Sequence, residues 1–130
     1  MHLMHLKFSS REKLCEISIH KQKFPLIVPD QLLAIAREYS RCAIISDSSV
    51  FSLYGKQLVA SMRRVGMSPL EIIVSSGEDA KSLLSAQQCW RILYKEGFNR
   101  NSCILSLGGT AILDVAGFVA ATYMRGIDVI

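Results

Sequence analysis

Metal-binding patterns are the first thing this chain lacks. Its three histidines include two within the first five residues, and its four cysteines (Cys15, Cys42, Cys89, Cys103) fall at no paired spacing. A zinc site draws on three or four such ligands at short, recognisable separations. Runs of one charge sign are missing too. The 15 Lys and Arg against 11 Asp and Glu give +4, but Lys21, Lys23 and Arg63-Arg64 form no long block, so the cations read as solvated faces and no nucleic-acid partner is indicated. The opening MHLMHLKFSSREK has no apolar core of the kind a secretion signal needs. With unpaired cysteines, that fits a reduced, cytoplasmic protein. His2 and His5 read as tail residues. No internal repeat or low-complexity segment occurs.

What remains is a globular composition, half hydrophobic and one fifth charged, in 130 residues, enough for one domain spanning 1–130. Lys13 to His20 and Phe24 to Val28 read as two strands of an N-terminal β-hairpin. Pro29-Asp30 then opens a helix with Leu32, Ile35, Ala36 and Tyr39 at helical spacing, Asp30 serving as N-cap. Three apolar runs follow, Cys42 to Ser46, Leu70 to Val74 and Cys103 to Leu107, each succeeded by a helical pattern. The first of those helices carries Val50, Tyr54, Leu58, Met62 and Val65 on one face and stops at Gly66. The second carries Ala80, Leu83, Ala86, Trp90 and Leu93, Trp90 reading as a packing residue. Apolar strands without strict alternation, separated by helices, imply an α/β fold: a Rossmann-like, mostly parallel sheet covered by helices on both faces. Ligands of such sheets gather beyond the carboxyl ends of the strands. Asp47, Glu78, Lys81, Gly109 and Asp114 all fall there.

The richest stretch is Cys103 to Gly126, CILSLGGTAILDVAGFVAATYMRG. It is apolar enough to be considered as a membrane span, but Asp114 near mid-bilayer would cost about 2.5 to 3.5 kcal/mol and Gly-Gly-Thr interrupts the run. A buried strand, a tight turn and a helix account for it better, and no membrane association is expected. Glycines at such a turn let backbone N–H groups approach an anion, and the helix N-terminus behind them carries about half a positive charge. The helix is apolar almost all round and is expected to be buried. Its only formal charge, Asp114, then needs donors: either the hydroxyls of a ligand or neighbouring backbone N–H groups. Asp47 is likewise open between binding a ribose hydroxyl and capping the helix after it, and Glu78 with Lys81, three apart, between a ligand and a simple helical ion pair.

Gly108-Gly109-Thr110-Ala111-Ile112-Leu113-Asp114-Val115-Ala116-Gly117-Phe118, followed by Ala120 to Gly126, resembles the Gly-Gly-Gly-Val-Ile-Gly-Asp-Leu-Ala-Gly-Phe … Ala-Thr-Tyr-Met-Arg-Gly signature of 3-dehydroquinate synthase. Gly77-Glu78-Asp79-Ala80-Lys81-Ser82 is similar to that family's Gly-Glu-x-x-Lys-Ser segment, and Asp47-Ser48-Ser49-Val50 … Leu53-Tyr54 to its Asp-x-Asn-Val … Leu-Tyr. Thr110 and Leu113 stand where the family usually has glycine, and Ser49 where it has asparagine. Thr110 thus puts a Cβ where positive φ or close backbone approach is a concern, and Leu113 puts bulk beside the expected dinucleotide.

The resemblance implies the NAD-binding half of an enzyme that converts 3-deoxy-D-arabino-heptulosonate 7-phosphate, a phosphorylated sugar acid, to 3-dehydroquinate and phosphate. By it, Asp47, Gly77, Glu78 and Lys81 hold the adenosine side of NAD. Gly108, Gly109, Thr110 and Ala111 hold the pyrophosphate, Asp114 the nicotinamide ribose, and Arg125 reaches toward substrate. A helical C-terminal domain of the family, absent from these residues, supplies a glutamate and two histidines to zinc or cobalt. The expectation is therefore a truncated, inactive half of a homodimeric enzyme, its hydrophobic final stretch Ile127 to Ile130 opening a further strand. Two other readings stay open: a metal-dependent glycerol or alcohol dehydrogenase-like domain, and a non-catalytic interaction module.

Overall fold

The protein was analysed as a computed structural model. It describes the backbone of residues 2–10 and 13–20, and residue 28 and residues 30–130 in full. Strands β1 (His2–Ser10) and β2 (Lys13–His20) pair antiparallel as a separate two-stranded sheet. The N-terminal hairpin is thus present, but Lys13–His20 takes its partner from the preceding segment, and His2 and His5 are strand residues rather than a tail. Pairing of Lys13–His20 with the segment 24–28 lies outside the described residues, apart from Val28.

Helix α1 (Asp30–Ala36) leads to β3 (Cys42–Asp47). A continuous right-handed rod follows, composed of α2 (Ser48–Val50), a π-helical turn over Phe51–Gly55 and α3 (Lys56–Arg64). Gly55 permits that wide turn, because any Cβ there would collide with the Phe51 ring. Strand β4 (Leu70–Val74), a 3₁₀ turn (Gly77–Ala80) and α4 (Leu83–Lys95) come next, then β5 (Cys103–Leu107), α5 (Thr110–Thr122) and β6 (Asp128–Val129). The four later strands form a parallel sheet in the order β4-β3-β5-β6.

The central strands β3 and β5 each face two cores, which is why their apolar runs do not alternate with polar residues, whereas β4 buries one face only. Ala43, Ile45, Ile72 and Ile104 pack against α4 and α5 with Leu93, Ile112, Val115 and Val119. Cys42, Ile44, Cys103 and Leu105 pack against α1 and α3 with Leu33, Leu58 and Met62. The sheet with helices on both faces is the architecture expected from the sequence.

Three helix faces differ from the periodic reading. In α1 the buried pair is Leu33 and Ala36, while Ile35 is exposed. In α4 the core residues are Ala86, Cys89 and Leu93, whereas Leu83 opens the helix and lies in solvent. The cause is local: Ser82 caps α4 by accepting from the Ser85 N–H, which ends the 3₁₀ turn and resets the phase of the helix. The largest departure is α5, which is covered on one side only; Leu113 and Phe118 are each 50% exposed, and Asp114 is exposed with them. Asp114 is therefore not a carboxylate stranded in the core. Among the described residues no helix is long and apolar enough to cross a membrane.

Candidate functional site

The parallel register sets the site. Asp47 lies opposite Val74, and Ser46 opposite Leu107, so the chain leaves β3, β4 and β5 at one level of one sheet edge. Three loops start there: Asp47 into α2, Ser75–Gly77 into the 3₁₀ turn, and Gly108-Gly109 into α5.

In the third loop the two glycines do different things. A Cβ on Gly108 would sit 2.6 Å from Ile112 Cβ, so this residue is a glycine to let α5 fold back onto β5. Gly109 is the N-cap of α5, with φ −81 and no side-chain cap, and a Cβ there would meet nothing within 4 Å. Its carbonyl accepts from the Ile112 and Leu113 N–H groups. The first amides of the 13-residue helix have no side-chain cap, and Gly109 and Thr110 are exposed at the sheet edge, a disposition that suits an anion. Thr110 is the first residue of the helix, and its backbone is unstrained: among the described residues the non-glycine positive φ values belong to Met124 and Arg125.

Beside that turn, Lys81 bridges two segments. Its ammonium lies 2.8 Å from Asp114 Oδ2 in α5 and 3.3 Å from Glu78 Oε2 in the 3₁₀ turn. The Asp114 contact first, and Glu78 second, hold the Lys81 pKa above its ordinary value. Asp114 therefore has a cation for its partner, not backbone N–H groups. All three groups are exposed, so their charges remain available to a ligand.

Asp47 takes the capping role. Its Oδ1 accepts from the Ser49 N–H at 2.8 Å and the Val50 N–H at 2.9 Å, which leaves Oδ2 as the atom able to meet a hydroxyl. Gly77 has φ +63, the left-handed turn that carries the chain from β4 into the segment holding Glu78 and Lys81. Arg125 is not brought to this group. It follows the far end of α5, about 20 Å along the helix from Gly109 at 1.5 Å per residue, in a turn where both Met124 (φ 48) and Arg125 (φ 68) are left-handed.

A cavity of about 310 Å³ adjoins the Lys81–Asp114 pair and is lined further by Ser82, Leu83, Ala86, Val115 and Phe118. Its apolar residues were read from the sequence as core or passed over, because a one-sided helix cannot be told from an enclosed one by composition. The signal present was positional: Leu83 and Phe118 each lie within four residues of a charged residue of the site. Trp90 packs beneath, its ring centroid 6.1 Å from that of Phe118.

Known proteins share the sequence pattern and the fold of this chain. The family model for the 3-dehydroquinate synthase N-terminal domain matches residues 71–130. A 3-dehydroquinate synthase of Caldanaerobacter subterraneus subsp. tengcongensis is 43% identical over 91 residues, covering 70% of this chain and 26% of that protein. One from Thermodesulfovibrio yellowstonii is 35% identical over 125 residues, covering 96% and 34%. The chain thus spans about a quarter to a third of the length of the curated relatives it matches. Among solved structures, 2-deoxy-scyllo-inosose synthase complexed with carbaglucose-6-phosphate, NAD+ and Co2+ superposes with a TM-score of 0.75 at 19% identity, over 97% of this chain and 33% of that one, a likeness of fold. The 2-epi-5-epi-valiolone synthase of Streptomyces hygroscopicus subsp. jinggangensis, solved with NAD+ and Zn2+, gives 0.64 at 26% identity, over 84% and 32%. Residues 71–130 thus match the 3-dehydroquinate synthase N-terminal domain, and the chain is similar to members of that family over most of its length.

Proposed function

We propose that this chain is the NAD-holding part of a 3-dehydroquinate synthase acting on 3-deoxy-D-arabino-heptulosonate 7-phosphate. The observation that carries the reading is the meeting, at one sheet edge, of an uncapped glycine helix start with the Glu78–Lys81–Asp114 cluster. A dinucleotide needs donors for its pyrophosphate and acceptors for its ribose hydroxyls, and these are the two sets present. The fit is supported by the open space around Gly109, where backbone and phosphate can approach closely. The 2-deoxy-scyllo-inosose and 2-epi-5-epi-valiolone synthases of similar fold are solved with NAD+ bound.

In this reading the amides of Gly109, Thr110 and Ala111 hold the pyrophosphate. Asp114 accepts from ribose hydroxyls on the nicotinamide side, and Asp47, Gly77, Glu78 and Lys81 hold the adenosine side. When bound, NAD supplies reversible oxidation of a substrate alcohol. Lys81 fixes the orientation of Asp114 before the ligand arrives, and Leu83 and Phe118 line the apolar cavity on that flank. Arg125, at the far end of α5, reaches substrate only by way of surfaces distant from the glycine turn.

Among the described residues no group of three His, Cys, Asp or Glu side chains is placed to hold a metal ion. The divalent metal, zinc or cobalt, that the resemblance implies is assigned in this reading to the family's C-terminal domain. These 130 residues bind the cofactor and do not turn over alone, and the active protein is a cytoplasmic homodimer. Titration calorimetry with NAD tests the reading: binding with a dissociation constant on the order of micromolar is expected, and no heat with folded protein contradicts it. Turnover of the heptulosonate phosphate by residues 1–130 with NAD and zinc would overturn the inactivity.

A further inference from the structure

Away from the cofactor edge, at the opposite end of the same strands, two thiols face each other. Cys42 and Cys103 are the first residues of β3 and β5, they are register partners in the parallel ladder, and both point into the core beneath α1 and α3. In-register neighbours in a sheet stand about 4.8 Å apart, inside the range of about 4.4 to 6.8 Å between Cα atoms that a disulfide spans. Neither thiol is needed to hold a metal or a substrate at the site described above. Cys42, though only 2% exposed, lines a cavity of about 450 Å³ together with Arg37, Tyr39, Arg41, Met67 and Pro69.

The geometry points to a thiol-exchange site: Cys42 is the attacking thiol, Cys103 its resolving partner, and the reagent a small acidic disulfide admitted through the Arg37–Arg41 cavity. The two sulfurs are unequal in the way this sequence requires. The neighbouring Cys103 thiol draws the Cys42 pKa below its ordinary value against the opposing effect of burial, and the Leu105 backbone adds to the lowering. Cys103 is pushed up, by Cys42 first and burial second. Cys42 is also the sulfur that lines the cavity, while Cys103 is wholly buried.

Attack by the Cys42 thiolate on RSSR forms Cys42–S–S–R and releases RS⁻, which takes up a proton. Cys103 then loses its proton and attacks the Cys42 sulfur, expelling the second RS⁻, which is protonated to RSH. The balance is two protein thiols plus RSSR giving one protein disulfide plus two RSH.

Glutathione disulfide is the probe, used on the folded chain carrying Cys15→Ser, with thiol labelling and peptide mass mapping. Cys89 is the internal control, since it is wholly buried and burial pushes its pKa up to about 11. The expected result is a Cys42–Cys103 crosslink forming about tenfold or more faster than any loss of the Cys89 thiol. Cys103→Ser stops at one glutathionyl group on Cys42, Cys42→Ser leaves Cys103 unreacted, and the uncharged hydroxyethyl disulfide reacts more slowly than glutathione disulfide. Persistence of both thiols while the protein stays folded overturns the proposal. So does loss of Cys89 in step with Cys42, which marks reaction through unfolding, or a mixed disulfide on Cys42 that Cys103 never resolves.

Discussion

Lys81 joins two separate segments of the site: its ammonium lies 2.8 Å from the carboxylate of Asp114, 33 positions further along the chain. The contact ties the turn after β4 to the first turns of α5. Both side chains are substantially exposed, so the pair is screened by water and adds little to folding.

The first prediction follows from that exposure. Lys81→Ala and Asp114→Asn keep a thermal midpoint close to the parent, while each weakens NAD binding by about tenfold or more, read by calorimetry. Loss of folding in either variant, or unchanged affinity in both, contradicts the role assigned to the pair.

Gly108 and Gly109 separate fold from function. Gly108→Ala drives a methyl against the buried Ile112 side chain, 2.6 Å away, and overpacking of this kind costs about 1 to 3 kcal/mol. Gly109→Ala meets no atom within 4 Å and has an ordinary φ, so the protein folds, but the added methyl stands where the ligand approaches. Denaturant midpoints are expected to fall for the first variant only, and NAD affinity to fall sharply for the second.

Asp47 contributes as a cap whatever else it does. Asp47→Ala removes an acceptor from the Ser49 and Val50 N–H groups and is expected to cost about 0.5 to 2 kcal/mol, whereas Asp47→Ser retains most of that. Urea denaturation of the two variants measures the difference.

Tyr39 makes the protein alkali-sensitive. Its hydroxyl donates to Asp128 Oδ2 at 2.8 Å, and burial first, then this bond, push its pKa from 10.0 up to about 12. The fold therefore favours the neutral phenol. Its contribution is fully present below about pH 10, the unfolded value, and is lost as pH rises from about 10 to about 12. Tyr39→Phe is expected to flatten the fall in unfolding midpoint over that window.

The central architecture was legible because its signal is local. Cys42 to Ser46, Leu70 to Val74 and Cys103 to Leu107 are short apolar runs bounded by turn residues, and the strands observed are Cys42–Asp47, Leu70–Val74 and Cys103–Leu107. Glu78, Lys81 and Asp114 were each legible as candidates after strands, and the parallel register brings them together. What was not legible depends on tertiary neighbours. Composition shows that α5 is apolar, but not that one of its faces, with Leu113 and Phe118, is left open, and so Asp114 lies in solvent and not in the core. The strand His2–Ser10 was hidden by histidines at positions 2 and 5, which interrupt the apolar alternation. The phase of α4 depends on the Ser82 cap, and the helical period alone does not locate that cap.

The most direct test of the cofactor cradle is amide NMR of the isotopically labelled chain during titration with NAD. The account predicts shifts concentrated at Gly109, Thr110 and Ala111 and at Glu78, Lys81 and Asp114, with Cys42 and Arg125 unmoved. Shifts centred elsewhere, or none at saturating NAD, would contradict it.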